Sequence, residues 1–421
     1  MNRLSRWLCA CAMLVGLSTA LSALAFETLP KELDGTMMPY DFSLTDSETP
    51  WSASSLQPVK LLYVARHGAR YLSSEKKVDD LLKAIRQAKE QGSLTRTGME
   101  FENLLDTVCS ISKNRWGALS MVGEEEEQRL GIELCRQLPE MSKKMNGIAV
   151  SSYVPRVVRT MWDFLYPVAA NSKYNSLTTS EGQKYSPLVR FFETDSLYAA
   201  YIADGDWKPI YKEYERETIS PEPARRLFGT IGDDNRMRKL TLDIYGVLQG
   251  LRAVSLPAPD TRWMTEEEYR QCWEVNNLQK YLVRSQNSLS PQAMSAAAPL
   301  LRNIIEGAEK ADSINARFWF GHAETIMPLV ALMDLPGCTA GPKDLNDIGS
   351  EWKDYEISPL GANVMIVLLK SQDDTDLRVA VRLNGRWISP VPGGGLIPRW
   401  KTLRDLWEQR LTEAVRRGSL S

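Results

Sequence analysis

Short apolar runs recur along the chain at wide intervals. Val59-Lys60-Leu61-Leu62-Tyr63-Val64-Ala65 is nearly continuous, as expected of a strand buried on both faces of a parallel sheet. Similar runs at 147–151, 317–320 and 364–369 predict three more strands. A fifth run, Leu377–Leu383, alternates and stops at Asn384-Gly385, a strong turn signal, which predicts an edge strand. Between these runs, residues 78–89, 124–141, 290–310 and 403–415 carry apolar side chains at helical spacing. Strands alternating with helices predict an α/β fold, an open, doubly wound, mainly parallel sheet with helices on both faces. Residues 26–57 read as an irregular N-terminal segment. The middle, 165–300, has no strand run, is rich in charge, Trp and Tyr, and shows helical spacing over 240–251 and 266–283. It reads as a mostly helical insertion, a second domain over an α/β core of residues 26–164 and 301–421.

The first 25 residues follow another pattern. Arg3 and Arg6 precede an apolar run from Trp7 to Leu17, and Ala23-Leu24-Ala25 forms an A-x-A cleavage site before Phe26. These are the three parts of a secretory signal peptide. Gly16, Ser18, Thr19 and Ser22 interrupt the stretch, which falls short of the roughly 20 firmly apolar residues a membrane anchor needs. Leu8-Cys9-Ala10-Cys11 resembles a lipobox, but most of the apolar run follows it. The expectation is cleavage after Ala25, no stable membrane insertion, and a periplasmic or secreted protein. No Asn-x-Ser/Thr sequon occurs, which favours a bacterial periplasm.

Composition narrows the chemistry. Hydrophobic residues make up 43% and charged residues 25%, an ordinary globular balance. The formal charge of −2 becomes more negative once Arg3 and Arg6 leave, so no basic excess exists for a nucleic-acid partner. Two histidines exclude a three-histidine zinc site, and no C-x-x-C spacing occurs. Beyond the leader stand Cys109, Cys135, Cys272 and Cys338, an even number consistent with two disulfides. Cys109–Cys135 and Cys272–Cys338 are the preferred pairs, because the first closes the shorter loop. Glu124–Glu127, just after Gly123, reads as a solvated acidic helix start.

The two histidines fall at equivalent places. His67 stands in Arg66-His67-Gly68-Ala69-Arg70 directly after the first strand, and His322 follows Phe318-Trp319-Phe320-Gly321, with Ala323 and Glu324 next. Ser151–Pro155 gives a third strand-to-helix turn, which leads into Arg156 at a helix start. Ligands of doubly wound sheets bind outside the carboxyl ends of the strands. Arginines there suit a phosphate, bound bidentately and always charged, and they hold a neighbouring imidazole neutral, as a nucleophile requires. Alone, each residue is better read as structural or surface. The two histidines, three arginines and one acid meeting at one sheet edge reverse that.

At these residues the chain resembles the histidine acid phosphatases, the second branch of the histidine phosphatase superfamily. Arg66–Arg70 matches the R-H-G-x-R motif, and Arg156 with Thr160 looks like the R-x-x-x-S/T segment. Leu119-Ser120-x-x-Gly123-x-x-Glu126 resembles L-T-x-x-G-x-x-E. Most members carry His-Asp at the second histidine. His322-Ala323-Glu324 is instead similar to the H-A-E form of the multiple inositol polyphosphate phosphatases, a phytase group. Residues 359–368 and 381–392 look like that group's late strands. Leu72 stands where the family often has proline, and Ser120 where it has threonine.

The resemblance implies a phosphoric monoester hydrolase. His67 would attack phosphorus and form a phosphohistidine, while Arg66, Arg70, Arg156 and His322 bind the equatorial oxygens. Glu324 would protonate the leaving alkoxide and then help activate water. No cofactor and no metal are implied, since three arginines supply the charge. The partner would be an anionic small molecule, an inositol polyphosphate such as inositol hexakisphosphate. Lys212, Arg216, Arg225, Arg226, Arg236, Arg238 and Lys239 are candidates for lining its cleft. A broader acid phosphatase or a bisphosphoglycerate phosphatase would use the same core. A periplasmic phospho-ligand binding protein without turnover is the non-enzymatic alternative, against which both His67 and Glu324 are present.

Overall fold

The structure, a computed structural model, describes residues 26–341, 345–371 and 376–420; the leader read at 1–25 lies outside them. Among the described residues a seven-stranded sheet forms from β1 (Gln57–Arg66), β2 (Asn146–Ser151), β3 (Ser176–Glu181), β4 (Ala316–Gly321), β5 (Asn363–Lys370), β6 (Arg378–Leu383) and β7 (Arg386–Ile388). The spatial order is β3-β2-β4-β1-β5-β6-β7. β3, β2, β4 and β1 run parallel, and β5, β6 and β7 add antiparallel pairings. The fold is therefore α/β with a mixed, mainly parallel sheet.

The helices that build the cores and the site are α1 (Lys76–Glu90), α2 (Arg96–Ser112), α3 (Met121–Gln137), α4 (Pro155–Ala170), α5 (Asp234–Leu248), α6 (Glu266–Arg284), α7 (Gln292–Glu309), α8 (Ala323–Leu332) and α9 (Trp400–Leu420). Side chains alternate across the sheet, as a pleat requires. Tyr63, Ala65, Phe318, Phe320 and Val367 face α3 and α4, packing on Leu130, Leu134, Met161 and Phe164. Leu62, Val64, Trp319, Ile366 and Leu368 face the other way, onto Leu301 and Ile304 of α7, Ile326 of α8 and Trp407 of α9. A third core lies among helices alone and joins α1, α2, α5 and α6 through Leu81, Phe101, Ile244 and Tyr269. Capping follows the sequence. Thr265 and Glu268 form a capping box on α6, and Pro155 takes the first turn of α4, where its missing N–H costs nothing.

Three expectations need correction. The stretch 165–300 does contain a strand, β3, whose largely polar Ser-Leu-Thr-Thr-Ser-Glu sequence gives no apolar run because it is an outer strand. β6 is not the edge, since the Asn384-Gly385 turn returns the chain as β7 beside it. No disulfide forms among the four described cysteines, all of which are free. The expected partners are shared out among separate cores. Cys109 packs in the helical core, and Cys135 packs against the α3–α4 side of the sheet. Cys272 is buried in the helical core and Cys338 against the opposite sheet face.

The start of α3 is pressed against the turn after β1. Ser120 caps the helix by accepting from the Gly123 N–H at 3.3 Å, and its hydroxyl donates to the Ala253 carbonyl at 2.6 Å. A Cβ on Gly123 would lie 2.1 Å from the Ala69 oxygen, and one on Gly68 would lie 2.9 Å from the Gly123 oxygen. Both positions therefore need glycine for close approach. Gly123→Ala is expected to destabilise the fold by roughly 1–3 kcal/mol, the usual cost of overpacking, read as a lowered thermal unfolding midpoint.

Candidate active site

Parallel pairing brings three chain turns to one edge. Arg66 is in register with Gly321 across β1 and β4, and Ser151 with Phe320 across β2 and β4. The turns are also tied by backbone bonds, from His67 N–H to the Gly321 oxygen and from Ser152 N–H to the Phe320 oxygen, both 3.2 Å. All six residues singled out from the sequence, Arg66, His67, Arg70, Arg156, His322 and Glu324, line one cavity of about 360 Å³.

The geometry sets the protonation of each histidine. His67 Nδ1 lies 3.0 Å from the Gly68 carbonyl oxygen, which can only accept. Nδ1 therefore carries the proton, and the lone pair is left on Nε2. Burial, then Arg66, Arg156 and Arg70, hold the imidazole well below its ordinary value, so it is neutral. His322 is neutral in the same tautomer for a different reason. Its Nε2 accepts from Arg190 Nη1 at 2.7 Å and lies 3.2 Å from Ser152 Oγ, which leaves the N–H at Nδ1. Burial, with Arg156 and Arg190, outweighs the opposing pull of Glu324 and brings His322 down to about 3.

The arginines are held from behind. Arg66 is buried and donates from Nη1 to the carbonyls of Thr36 and Ser358 at 2.7 and 2.6 Å. Arg70 donates to the Tyr71 carbonyl at 2.9 Å. Arg66, Arg70 and Arg156 each keep a buried Nε with no hydrogen-bond partner. Burial, and then their mutual repulsion, lower Arg66 to about 9 and Arg70 to about 10. The three guanidiniums line the cavity together, and such charged donors are matched to an oxyanion. Glu324, in the first turn of α8, accepts from Arg284 Nη2 at 2.7 Å. Burial raises this carboxyl, but Arg284, His322 and Arg66 outweigh it and hold Glu324 at about 2.

Sequence reasoning missed several cations here. Lys77 of α1 and Lys280 and Arg284 of α6 line the cavity, and Arg190 touches His322 beneath the rings of Tyr153 and Phe192, 5.0 and 5.1 Å away. The seven cations expected from the helical stretch are elsewhere. Lys212, Arg216 and Arg238 line a separate hollow with Trp207 and Tyr211. Arg225 pairs with Glu222 and Asp234, Arg226 with Glu268, and Arg236 donates to Gln87, while Lys239 lies near Asp80 and Asp243. No spacing marks Arg190 or Arg284, because the chain path alone brings them in. Among the described residues no three His, Cys, Asp or Glu side chains gather as metal ligands.

The acidic run on α3 also differs from expectation. Glu124 and Glu125 reach the surface, but Glu126 and Glu127 are buried behind the His67 turn. Glu126 accepts the Ala69 N–H at 2.9 Å and the Tyr40 N–H at 2.8 Å, and burial pushes it up to about 7. Gly68 N–H donates to Thr160 Oγ1 at 3.2 Å, which ties the same turn to α4.

Residues 207–384 match the family model described as histidine phosphatase superfamily (branch 2). That stretch holds His322 and Glu324 and stops short of Arg66–Arg70 and Arg156. No curated protein matches the sequence. The fold is similar to that of the Bifidobacterium longum multiple inositol polyphosphate phosphatase in complex with inositol hexasulfate. Here the TM-score is 0.74 at 15% identity, covering 89% of this chain and 97% of that one. The phytase from D. castellii gives 0.61 at 14% identity, covering 91% and 85%. The Klebsiella sp. ASR1 phytase gives 0.53 at 12% identity, covering 86% and 97%. The resemblance read from the sequence motifs is thus borne out in family model and in fold, and these findings support a phosphatase.

Glu127 gives a test of this buried layer. Both its oxygens are buried without partners, and burial, with Glu126 and Asp163 nearby, pushes the carboxyl well above its usual range. It keeps its proton in the folded protein and loses it at about 4.3 when unfolded, so its contribution to stability falls as pH rises above that value. Glu127→Gln is expected to gain stability relative to the parent as pH rises from about 5 to 8, measured by denaturant unfolding across pH. A constant difference would mean that Glu127 is ionised in the fold.

Proposed function

We propose that this chain hydrolyses phosphomonoesters on inositol polyphosphates, such as inositol hexakisphosphate, through a phosphohistidine and without a metal. One arrangement carries the reading. Three guanidiniums line one cavity with a neutral histidine whose Nε2 carries the lone pair. His67 Nε2 attacks phosphorus in line. Arg66, Arg70 and Arg156, with His322, hold the equatorial oxygens and stabilise their charge, usually the main source of rate enhancement in such catalysis. Glu324 gives a proton to the leaving alkoxide, then takes one from the water that releases phosphate.

Further cations at the cavity favour a substrate with more than one phosphate. Lys280 and Arg284 already pair with Asp354 and Glu324, and we assign Lys77, which also lies near Asp243, to a second phosphate. A protein of similar fold was crystallised with inositol hexasulfate and with phosphate. In this reading residues 165–300 form a cap domain over a core of 26–164 and 301–421, and the enzyme acts in the periplasm or outside the cell after its signal peptide is removed. Among the described residues no helix is long and apolar enough to cross a membrane.

Phosphate release from inositol hexakisphosphate is expected to exceed release from a simple aryl phosphate in kcat/KM; the reverse order would favour a broader acid phosphatase. His67→Ala is expected to abolish turnover while the fold remains, and acid quenching is expected to trap a phosphoenzyme from the parent alone. Substantial activity in a clean His67→Ala preparation would remove His67 as the nucleophile. Glu324→Gln is expected to slow reaction with a poor leaving group by roughly 10²- to 10⁴-fold. An aryl phosphate is expected to lose much less in the pre-steady-state burst. Equal burst losses for both substrates would show that Glu324 is not the leaving-group acid.

A further inference from the structure

Glu324 is assigned a proton by the reading above, yet the free site holds it as a carboxylate. Arg284, the last residue of α6, reaches across to its Oε1 at 2.7 Å. The other groups that act on it are Arg66 and Arg70 from the end of β1, Arg156 from α4, His322 from the end of β4, and Tyr198 from the helix Ser196–Asp204. Four of these six are guanidiniums. Phosphomonoesters, by contrast, lose their second proton only at about 6. At mildly acidic pH the proton therefore resides on the substrate.

We infer that Arg284 is a positioning residue that keeps Glu324 as an ionised, anchored acceptor, so that the proton expelling the alcohol arrives on the substrate's own phosphate monoanion. This deepens the phosphatase reading and rests on it. On binding, the monoanion passes its proton to the Glu324 carboxylate and becomes a dianion held by the three arginines. His67 Nε2 then forms the N–P bond as the P–O bond breaks, and the departing alkoxide takes the proton from Glu324. The products are the alcohol, a phosphohistidine still protonated at Nδ1, and Glu324 once more a carboxylate beside Arg284. In the second half Glu324 takes a proton from water as the new O–P bond forms. The N–P electron pair returns to His67 as that bond breaks, and Glu324 hands its proton to the departing phosphate, which leaves as a monoanion and restores the carboxylate beside Arg284.

The test is the pH dependence of kcat/KM for the full-length enzyme with a series of phosphomonoesters whose second ionisations differ. The basic limb is expected to follow each substrate's own second ionisation, and the profile to stay flat on the acid side down to the onset of acid denaturation, located by following the fold across the same pH range. In Arg284→Gln an acid limb is expected to rise into the measured range by at least tenfold in proton concentration, while Arg284→Lys keeps the parent profile. A merely structural Arg284 would lower the rate without moving that limb. A folded Arg284→Gln with an unmoved acid limb would overturn the inference. So would a basic limb that ignores the substrate's ionisation, a result that needs no variant. If the parent released phosphate from no monoester, the phosphatase reading itself would fall. Turnover that depends on His67 with unmoved limbs would sink this inference alone.

Discussion

Arg66 is buried and Arg70 and Arg156 half-buried, three cations set side by side, and much of the molecule around the strand ends answers that cost. Removing a guanidinium from water is unfavourable, and placing it beside others adds repulsion. Backbone carbonyls of Thr36, Ser358 and Tyr71 take some of the N–H groups, and the Glu324 carboxylate supplies one negative charge within the field. The same field keeps both imidazoles neutral, and the tautomers are then set by what each ring touches, a carbonyl for His67 and a guanidinium for His322. A phosphate entering here meets donors that are already oriented and need no reorganisation.

Much of this was legible in the sequence. Continuous apolar runs mark β1, β2, β4 and β5 because strands buried on both faces leave no room for polar side chains, and the six site residues that line the cavity all lie beyond the ends of such runs or at them. Parallel pairing then does the rest, since it brings every strand-to-helix turn out on the same side. β3 escaped because an outer strand is only half buried, and Arg190, Lys280 and Arg284 escaped because their approach depends on how helices far along the chain pack. The cleft cations expected from the helical stretch carry no signal beyond their charge. Charge on a helix usually points to water or to a neighbouring acid, as Arg225 and Arg226 do.

The misread acids on α3 carry a related lesson. Glu124 to Glu127 look alike as letters, but a helix turns 100° per residue, so four in a row cannot share an environment. Two face outward, while Glu126 and Glu127 lie under the His67 turn, where one carboxyl holds backbone N–H groups and the other has no partner at all. Gly68 and Gly123 leave room for that approach, and the family-like spacing Gly123-x-x-Glu126 describes one packed layer in which the glycine admits the loop and the acid grips it.

The position of β1 in the sheet bears on how the protein comes into being. β1 ends at residue 66, yet its two neighbours, β4 and β5, begin at 316 and 363. The strand that presents His67 therefore cannot be enclosed until some 300 further residues have been made, and it must wait with its apolar face uncovered. Such distant pairings close slowly and leave the nascent chain prone to aggregation. They also mean that no N-terminal fragment, however well folded its helices, holds a working crevice. The crevice is complete only when strands from the two ends of the chain have met.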